Sequence, residues 1–499
     1  MVAVSQSYNK KYYICVCYIK KMDPYEFAER IFLNLPYDPN EQQISLIAAL
    51  ARFCSASDDG RSNPVFLLNG YAGTGKTSLT GALVKALREV MLPVVLMAPT
   101  GRAAKVFGNF AGYPASTIHR RIYRSADGSL PGGSSVDVAE NTLVDAVFIV
   151  DEASMIGDGG SGNDGYGGRA NLLEDLIQYV YGGERCRLIL LGDTAQLPPV
   201  GCSVSPAMDP AILRGYGLKV SRVVLTKVVR QERMSGILYN ATWLRHAMRD
   251  PAGNELCITA GRFDDVTVVD GVDLQDSIAS SYAEAGEADT LVITSSNRRA
   301  VAFNRAIRAD ILYREEELCR GERLMVVKNN YLFSARVRGL DFIANGDMAV
   351  VESIHGTEAR YGFRFADVTL SLPDRDITLD AKLMLDTLAS EAPALEHDRF
   401  SLLYERILND PDLFTPTTPI RTRMRMLRSD PYINALQVKY AYAVTCHKAQ
   451  GGQWPNVYVD LGFMPAESDP LERFRWLYTA VTRATTHLFI TGASDGLLR

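Results

Sequence analysis

Short runs of apolar residues alternate along this chain with longer segments whose apolar positions recur every three or four residues. The first pattern is typical of buried parallel strands, and the second is typical of helices that cover a sheet. Before residue 285, strands are predicted at residues 65–68, 94–98, 146–150 and 187–191. The pattern restarts near residue 289, with strands predicted at 291–294, 439–444, 456–461 and 487–491. The chain is therefore predicted to be an α/β protein with two parallel-sheet units in tandem.

Two segments interrupt this alternation. Residues 122–142 are polar and rich in Gly and Ser, which indicates a small hairpin excursion from the first sheet. Residues 342–379 contain the turn signal Asn345-Gly346-Asp347, followed by apolar residues at mostly alternating positions. This second pattern predicts a small antiparallel β-insertion in the second unit.

These patterns set the predicted domain limits. An amino-terminal extension covers residues 1–36, and the first domain covers 37–285. The second domain covers 286–335 and 433–499, and an inserted small β domain with helices covers 336–432.

The most informative stretch is VFLLNGYAGTGKTS at residues 65–78. It fits G-x-x-x-x-G-K-[ST] between a predicted strand and a predicted helix, which is the context that a phosphate-binding loop requires. Glycines let the backbone wrap around phosphates, while loop N–H groups and the helix N-terminus point at the anion. Lys76 would supply a charge to the β- and γ-phosphates, and Thr77 a hydroxyl to Mg²⁺. The residues predicted to bind the nucleotide here are Gly70, Ala72, Gly73, Thr74, Gly75, Lys76, Thr77 and Ser78.

Polar residues after two other strands complete a predicted hydrolytic site. Asp151 and Glu152 follow the strand at 146–150, where Asp151 can hold Mg²⁺ through its water shell and Glu152 can polarise the attacking water. Gln196 follows the strand at 187–191 and can sense the γ-phosphate.

Upstream, Gln43, with Gln42 as second choice, can read an adenine edge through its paired donor and acceptor. The alternative is that both glutamines lie on the surface in the first turn of a helix.

Composition and charge restrict the partners. The 499 residues carry a net charge of −5 with a pI near 5.8, so a nucleic-acid partner has to be argued from local basic sites. The eight cysteines form no C-x-x-C pair, so neither a zinc cluster nor a redox motif is indicated, and a cytoplasmic location is the simplest expectation. No apolar run approaches the roughly 18 residues of a membrane span. Residues 1–21 are predicted to be an accessory extension.

An ordered series of motifs then points to a family. GYAGTGKT, APTGRAAK, DEAS, GDTAQLPPV, VVRQ, TCHKAQGGQW and YTAVTRA resemble the motif series of superfamily 1 helicases, in the RecD-like and Dda-like branch. The resemblance covers roughly residues 37–492. It implies two RecA-like domains of the P-loop type, with a β-hairpin in the first and a small β-barrel in the second.

The resemblance also implies residue roles. Gln43 would read adenine, and Lys76, Glu152, Gln196, Arg230 and Arg483 would act in hydrolysis, with Thr77 and Asp151 at the metal. Gln450 and Gly451 would join the nucleotide site. The residues that would contact single-stranded nucleic acid are Thr100, Arg102, His119, Asn297, Thr445, His447, Lys448 and Trp454.

The implied activity is that of an ATP- and Mg²⁺-dependent motor. It would hydrolyse ATP between the two domains, move 5′ to 3′ along single-stranded DNA and unwind duplex junctions, acting as a monomer without a membrane partner. Two alternatives stay open: a motor on RNA, and a nucleotide-gated module that clamps or remodels nucleic acid without processive unwinding.

Overall fold

The computed structural model of the chain describes residues 23–56, 62–125, 136–159, 171–227, 235–335, 337, 340, 342–462 and 469–498. The predicted extension at residues 1–21 and Arg230 lie outside these ranges.

The strands include the predicted apolar runs, except that residues 439–444, predicted as one strand of the second sheet, are divided between a barrel strand and a sheet strand. In chain order they are β1 (Asn63–Gly70), β2 (Val94–Ala98), β3 (Ala115–Thr117), β4 (Tyr123–Ser125), β5 (Val136–Val138), β6 (Val147–Val150), β7 (Arg187–Gly192), β8 (Leu218–Leu225), β9 (Val266–Val269), β10 (Thr290–Thr294), β11 (Arg323–Val326), β12 (Met348–Arg360), β13 (Phe363–Leu372), β14 (Ile377–Met384), β15 (Leu436–Tyr440), β16 (Ala443–Thr445), β17 (Trp454–Asp460) and β18 (Ala484–Thr491).

Helices separate most of the parallel strands. They are α1 (Pro24–Leu33), α2 (Glu41–Ser55), α3 (Lys76–Glu89), α4 (Gly101–Ala111), α5 (Ile118–Ile122), α6 (Leu172–Tyr181), α7 (Pro210–Gly215), α8 (Gly236–Ala247), α9 (Leu274–Ala285), α10 (Asn297–Ala306), α11 (His397–Leu408), α12 (Ile420–Arg428), α13 (Cys446–Ala449) and α14 (Pro470–Val481).

The first sheet is entirely parallel, in the order β3-β2-β6-β7-β1-β8. Along β1, Phe66 and Leu68 face one core while Val65 and Leu67 face the other, because successive side chains of a strand point to opposite faces. A strand buried on both faces reads as a continuous apolar run, which is why the sequence pattern located it. The order places the carboxyl ends of β6, β7 and β1 side by side.

The amino-terminal limit of the first unit differs from the prediction. Phe27 and Ile31 of α1 are four residues apart, share one helix face, and are fully buried in the core that contains Phe66. Residues 24–33 therefore pack as part of the first unit, although the predicted extension ran to residue 36.

The second sheet is also parallel, in the order β16-β10-β17-β18-β9. Its edge strand β9 pairs with β18, with Ile490 opposite Val268, whereas the predicted limit at residue 285 assigned this segment to the first domain. We therefore propose that the second unit begins before β9.

The inserted β domain is a closed barrel of β11, β12, β13, β14 and β15. Its first and last strands lie outside the predicted limits of 336–432. Closure requires the strand that enters the barrel to pair with the strand that leaves it, and Leu324 lies opposite Tyr440. The two flanking segments therefore belong to the barrel.

The predicted excursion in the first unit is a small hairpin. Strands β4 and β5 pair antiparallel, with Tyr123 opposite Val138.

In the described part of the chain, no helix combines the length and the apolar character that crossing a membrane requires.

Candidate functional site

The phosphate-binding loop lies at the carboxyl end of β1 and leads into α3. Gly73 and Gly75 have φ angles of 75° and 82°, a left-handed conformation that side chains with a Cβ rarely adopt. A Cβ on Gly70 would lie 2.7 Å from Cγ of Lys76, so glycine is also needed for space. The Lys76 ammonium donates to the carbonyl oxygens of Gly70 and, at 3.1 Å, of Tyr71. The loop, its cation and the first turn of α3 with Thr77 and Ser78 therefore form one anion cradle.

Gln43 lies directly behind this loop. Its side chain is fully buried, and its Nε2 donates to the carbonyl oxygen of Thr74 at 3.1 Å and to the Tyr37 hydroxyl at 3.2 Å. Its Oε1 accepts from the backbone N–H of Asn40 at 3.1 Å, which completes a capping box at the start of α2. The interpretation of Gln43 as a surface residue is therefore wrong, and the side chain braces the loop. Its predicted role in reading adenine stays a prediction.

Gln42 makes a different connection. Its Oε1 accepts from the backbone N–H groups of Thr226 and Lys227, both at 3.0 Å. Gln42 therefore joins the residues that follow β8 to α2.

Two carboxylates follow β6, as predicted. Asp151 Oδ1 accepts from the backbone N–H of Glu152 at 2.9 Å, and Glu152 itself has a left-handed φ of 51°. Burial and the charge of Glu152 raise the pKa of Asp151 to about 7, although the nearby Lys76 ammonium acts in the opposite direction. A carboxylate held in this way favours an added cation. Together with the Thr77 hydroxyl it supplies the hard oxygen donors that suit Mg²⁺.

Gln196 follows β7 in a segment held by both units. It is 5% exposed, and its Oε1 has no hydrogen-bond partner among the described residues. The next residue, Leu197, donates its N–H to Thr479 Oγ1 at 2.9 Å and accepts from Gln450 Nε2 at 2.7 Å. The second unit therefore fixes the backbone beside a buried, unpartnered amide oxygen.

The second unit also reaches the phosphate loop. The Tyr478 hydroxyl of α14 accepts from the backbone N–H of Ala72 at 3.0 Å and donates to Oδ2 of Asp193 at 2.6 Å. Gln450 and Gly451, predicted at the nucleotide, lie against the first unit, and their contact with a nucleotide stays a prediction. A Cβ on Gly451 would lie 3.2 Å from Oγ1 of Thr100.

Arg483, predicted at the γ-phosphate, is 3% exposed and bonded within its own unit. Its guanidinium donates to the carbonyl oxygens of Thr479 and Gly452, both at 3.1 Å, and to Thr482 Oγ1 at 3.2 Å. In this structure the hydrogen bonds of the side chain are therefore made to its own unit. The position of Arg230 lies outside the described residues.

Several residues predicted to contact nucleic acid lie at carboxyl ends of strands. Thr100 follows β2 and caps α4 by accepting from the N–H of Ala103 at 3.2 Å. Thr445 ends β16, and Asn297 opens α10 just after β10. Ligands of open parallel sheets bind at such ends. Contact of these residues with nucleic acid stays a prediction.

Burial changes the charge of the histidines and of Lys448. It lowers the pKa of His119 to about 4, so this imidazole is neutral near pH 7 and would offer a phosphate a hydrogen bond without a charge. Burial also lowers the pKa of His447 and brings that of Lys448 to about 8. The Lys448 ammonium donates to Asn345 Oδ1 of the barrel at 2.6 Å.

Trp454 is placed differently from the prediction. It is 2% exposed, and the Arg102 guanidinium lies 4.1 Å from its ring centroid and donates to the carbonyl oxygen of Gln453 at 2.8 Å. The indole therefore has no open face for a nucleic-acid base in this structure. Both residues instead join the two units, and their roles in binding nucleic acid stay predictions.

Sequence reasoning missed Asp193, Tyr478 and Thr479 as residues of this site. Asp193 lies in the GDTAQ segment and the other two in YTAVTRA, so their motifs were found. From sequence, a tyrosine in a helix that packs on a sheet is predicted to be a core residue. Only the structure shows that its hydroxyl bonds to the other unit.

Fold and site together define a protein with two RecA-like parallel-sheet units, a complete phosphate loop in the first, and residues of the second packed against it. The sequence profile of the AAA domain matches residues 48–262, and the profile of the UvrD-like helicase C-terminal domain matches residues 440–491. The predicted resemblance to the RecD-like and Dda-like branch of superfamily 1 helicases is confirmed.

The chain is also similar to individual proteins. The chain is 25% identical over 456 residues to the ATP-dependent RecD2 DNA helicase of Deinococcus radiodurans, covering 91% of this chain and 49% of that protein. It therefore spans about half the length of that relative. It is 32% identical over 144 residues to the ATP-dependent DNA helicase dda of Enterobacteria phage T4, covering 27% of this chain and 28% of that protein. Among solved structures, Pif1 helicase from Bacteroides in complex with ADP-AlF3 and single-stranded DNA is 15% identical with a TM-score of 0.46, covering 93% of this chain and 95% of that one.

Proposed function

We propose that this chain is an ATP-driven motor that moves 5′ to 3′ along single-stranded DNA and unwinds duplex DNA. The observation that carries the proposal is the contact of the two units at the phosphate loop. Helix α14 of the second unit meets the loop at Ala72 and the segment after β7 at Asp193 and Leu197. A nucleotide in that cradle would lie at the seam between the units, so loss of its γ-phosphate can change how they fit together.

The first unit contributes the groups that bind ATP. The loop N–H groups and Lys76 would bind the phosphates, and Thr77 and Asp151 would hold Mg²⁺. When bound, Mg²⁺ neutralises charge on the phosphate oxygens. Glu152 would orient the attacking water and accept its proton, as its place next to Asp151 allows.

Gln196 and the arginines would act on the γ-phosphate side. The buried Oε1 of Gln196 needs a donor, and an attacking water can supply one. Arg483 would have to exchange its bonds to Thr479 and Gly452 for the phosphate, which requires a rearrangement at the carboxyl end of α14. Arg230 would act on the γ-phosphate together with Arg483.

The nucleic acid would lie across the carboxyl ends of both sheets. Thr100 and His119 of the first unit, and Asn297, Thr445, His447 and Lys448 of the second, would contact the strand. These groups are distributed over both units. A change at the seam would therefore change the distance between two sets of residues that bind the same single strand of nucleic acid. Arg102 and Trp454 would bind only after the contact between them opens.

The names of the relatives support DNA as the substrate, since two of them are called ATP-dependent DNA helicases. The activity of the whole protein, its DNA preference, its 5′ to 3′ direction and its action as a monomer are parts of this proposal.

The test uses forked duplexes that carry either a 5′ or a 3′ single-stranded tail. We expect ATP- and Mg²⁺-dependent strand release from the 5′-tailed substrate and an ATPase that single-stranded DNA stimulates, both absent in Lys76→Ala. Absence of strand release together with absence of stimulation would refute the proposal.

Two outcomes would replace it with a neighbouring function. Stronger stimulation by RNA than by DNA oligonucleotides would identify an RNA motor. ATP-dependent binding with slow hydrolysis that does not change with strand length would identify a clamp.

A further inference from the structure

Tyr478 belongs to the second unit, yet both hydrogen-bond partners of its hydroxyl belong to the first. The residue lies in α14 and is 1% exposed. Its oxygen lies 3.0 Å from the backbone nitrogen of Ala72 and 2.6 Å from Oδ2 of Asp193. One hydroxyl therefore joins the phosphate loop, the segment after β7 and the second unit at a single point.

The direction of both bonds is fixed. Asp193 can only accept when ionised and Ala72 can only donate, so the hydroxyl donates to the carboxylate and accepts from the amide. Burial and the Asp193 charge raise the pKa of Tyr478 well above its ordinary value, which keeps the proton on the phenol. A bond to an ionised acceptor that is buried and short is stronger than a neutral one.

Both first-unit partners lie on the nucleotide side of that unit. Ala72 is inside the phosphate loop, between Gly70 and Gly73. Asp193 begins the turn that contains Gln196, and its Oδ1 accepts from the N–H of Ala195 at 3.0 Å. The hydroxyl thus connects the loop that would cradle the phosphates to the turn that would hold the attacking water.

A second buried tyrosine shows what a purely structural hydroxyl looks like in this protein. Tyr458 in β17 is fully buried, and its hydroxyl lies 2.8 Å from Oγ of both Ser277 and Ser281 in α9. All of these atoms belong to the second unit, so a relative movement of the units leaves them together. Such a movement would separate Tyr478 from both of its partners.

We propose that Tyr478 is a positioning residue that couples closure of the seam to the geometry of the phosphate loop and of the Gln196 turn. When the units close, its hydroxyl fixes Ala72 and Asp193 relative to each other. When they part, both groups lose that partner. The inference rests on the proposed function, because it assumes that ATP is hydrolysed at this seam and that nucleic acid drives the closure.

Tyr478→Phe tests this, because it keeps the ring and removes the oxygen. We expect the KM for ATP to stay within about twofold, while the kcat of the DNA-stimulated ATPase falls about tenfold or more, the effect of losing one hydrogen bond to a charged group. A purely structural role would lower the melting temperature without this split between kcat and KM. Tyr458→Phe is the matched control, and we expect its stimulated kcat to stay within about twofold of the unmodified protein.

Asp193→Asn approaches the same bond from the other side. We expect it to reproduce the split between kcat and KM, because the amide removes the charge that strengthens this bond. We expect the double variant to lose little more than either single variant, because both changes act on one interaction. If Tyr478→Phe does not fold, Asp193→Asn decides alone by the same criterion. Multiplicative losses in a folded double variant would overturn the inference.

The two proposals fail separately. An unmodified protein with no ATPase stimulated by single strands refutes the proposed function. A stimulated unmodified protein whose Tyr478→Phe variant shows the same kcat overturns only the role of Tyr478.

Discussion

At the scale of the residue, the Arg483 guanidinium is fully hydrogen-bonded within its own unit. Its proposed role at the γ-phosphate would require it to exchange these hydrogen bonds. Its guanidinium donates to three oxygens of its own unit, two of them backbone carbonyls. Leaving such a pocket costs hydrogen bonds, so the side chain would move only if a phosphate offers stronger, charge-assisted ones. If Arg483 has the proposed role at the γ-phosphate, the pocket is the position that its side chain leaves when nucleotide binds.

This gives a prediction for Arg483→Ala. We expect ATP binding within a few fold of the unmodified protein and a stimulated kcat reduced by about 10³-fold or more, the range seen for arginines that stabilise the transition state of phosphoryl transfer. Fluorescent-nucleotide titration and a steady-state ATPase assay measure the two effects. Arg473→Ala, which removes an arginine from the same helix, is the control with near-normal kcat. Normal hydrolysis by Arg483→Ala would rule out a composite site.

Lys448 predicts a pH dependence. Burial holds its pKa at about 8, below the ordinary value, so the ammonium that would bind a phosphate is lost as the pH rises through 8. We expect the Kd for single-stranded DNA to increase about three- to tenfold between pH 7 and 9, measured by fluorescence anisotropy at constant salt.

Two variants assign that change to Lys448. Its neighbour Lys439 also has a pKa lowered to about 8, through burial and the charge of Lys448. We expect Lys448→Met to bind more weakly at pH 7 with a flat pH profile, and Lys439→Met to keep the slope. A slope that survives in Lys448→Met would show that another group titrates.

Residue types and spacings were enough to place the loop, Asp151, Glu152 and Gln196 at adjoining strand ends. They were not enough for Trp454, because its exposure depends on Arg102, which is distant in sequence and packs on the indole face. They also left open whether Gln43 faces solvent, and its burial depends on the contact with Thr74. Predictions at residue scale failed where a partner came from another part of the chain.

At the scale of the element, the phosphate loop depends on backbone shape as much as on Lys76. Gly75 has a φ of 82°, and a Cβ there would lie 2.7 Å from Gln43 Nε2 and 2.8 Å from the Tyr37 hydroxyl. The residue is thus fixed by conformation and by the side chains that brace the loop.

Gly75→Ala should therefore lower the free energy of unfolding by more than the cost of placing an alanine in a left-handed conformation. The conformational penalty is about 1–2 kcal/mol, and displacing Gln43 from its bonds adds about 1–2 kcal/mol. Gly112→Ala is the matched control, since Gly112 has a φ of 60° with nothing near its Cβ position. Urea unfolding compares the two free energies, and equal losses would contradict the contact with Gln43. We also expect Gly75→Ala to lose ATP binding.

The buried strands β1, β2, β6, β7, β10, β17 and β18 were predictable because each is a short local run of apolar residues. Which strands pair was harder to predict. Strands β9 and β11 were not predicted, and residues 439–444 were predicted as one strand although they contain the end of β15 and the start of β16. Sheet edges and barrel closure are decided by residues far apart in the chain, which a local pattern does not report.

At the scale of the whole molecule, contacts outside the nucleotide pocket also join the first unit to the second unit and to the barrel. Arg102 joins α4 to Trp454 of the second unit, and Lys105 of the same helix donates to the carbonyl oxygen of Pro373 in the barrel at 2.7 Å. Arg475 of α14 donates to the carbonyl oxygen of Ser203 at 2.8 Å. These polar contacts can be exchanged for water at modest cost, which is compatible with the proposed opening of the seam during turnover.

The contact of Arg102 with Trp454 gives a prediction for the equilibrium between molecules in which the two units are closed and molecules in which they are open. Arg102→Met removes a cation–π interaction of about 0.5–2 kcal/mol and one hydrogen bond of about 1 kcal/mol. A loss of about 1.4–2.8 kcal/mol shifts a ratio of closed to open molecules by about 10- to 100-fold. We expect small-angle scattering without nucleotide to show a larger radius of gyration for Arg102→Met, and nucleotide with single-stranded DNA to reduce it again. Arg298→Met, which removes an arginine whose side chain is 84% exposed, is the control for loss of charge. Indistinguishable profiles for the two variants would mean that this contact does not hold the units together, and that the bonds around Tyr478 and Leu197 carry the closure.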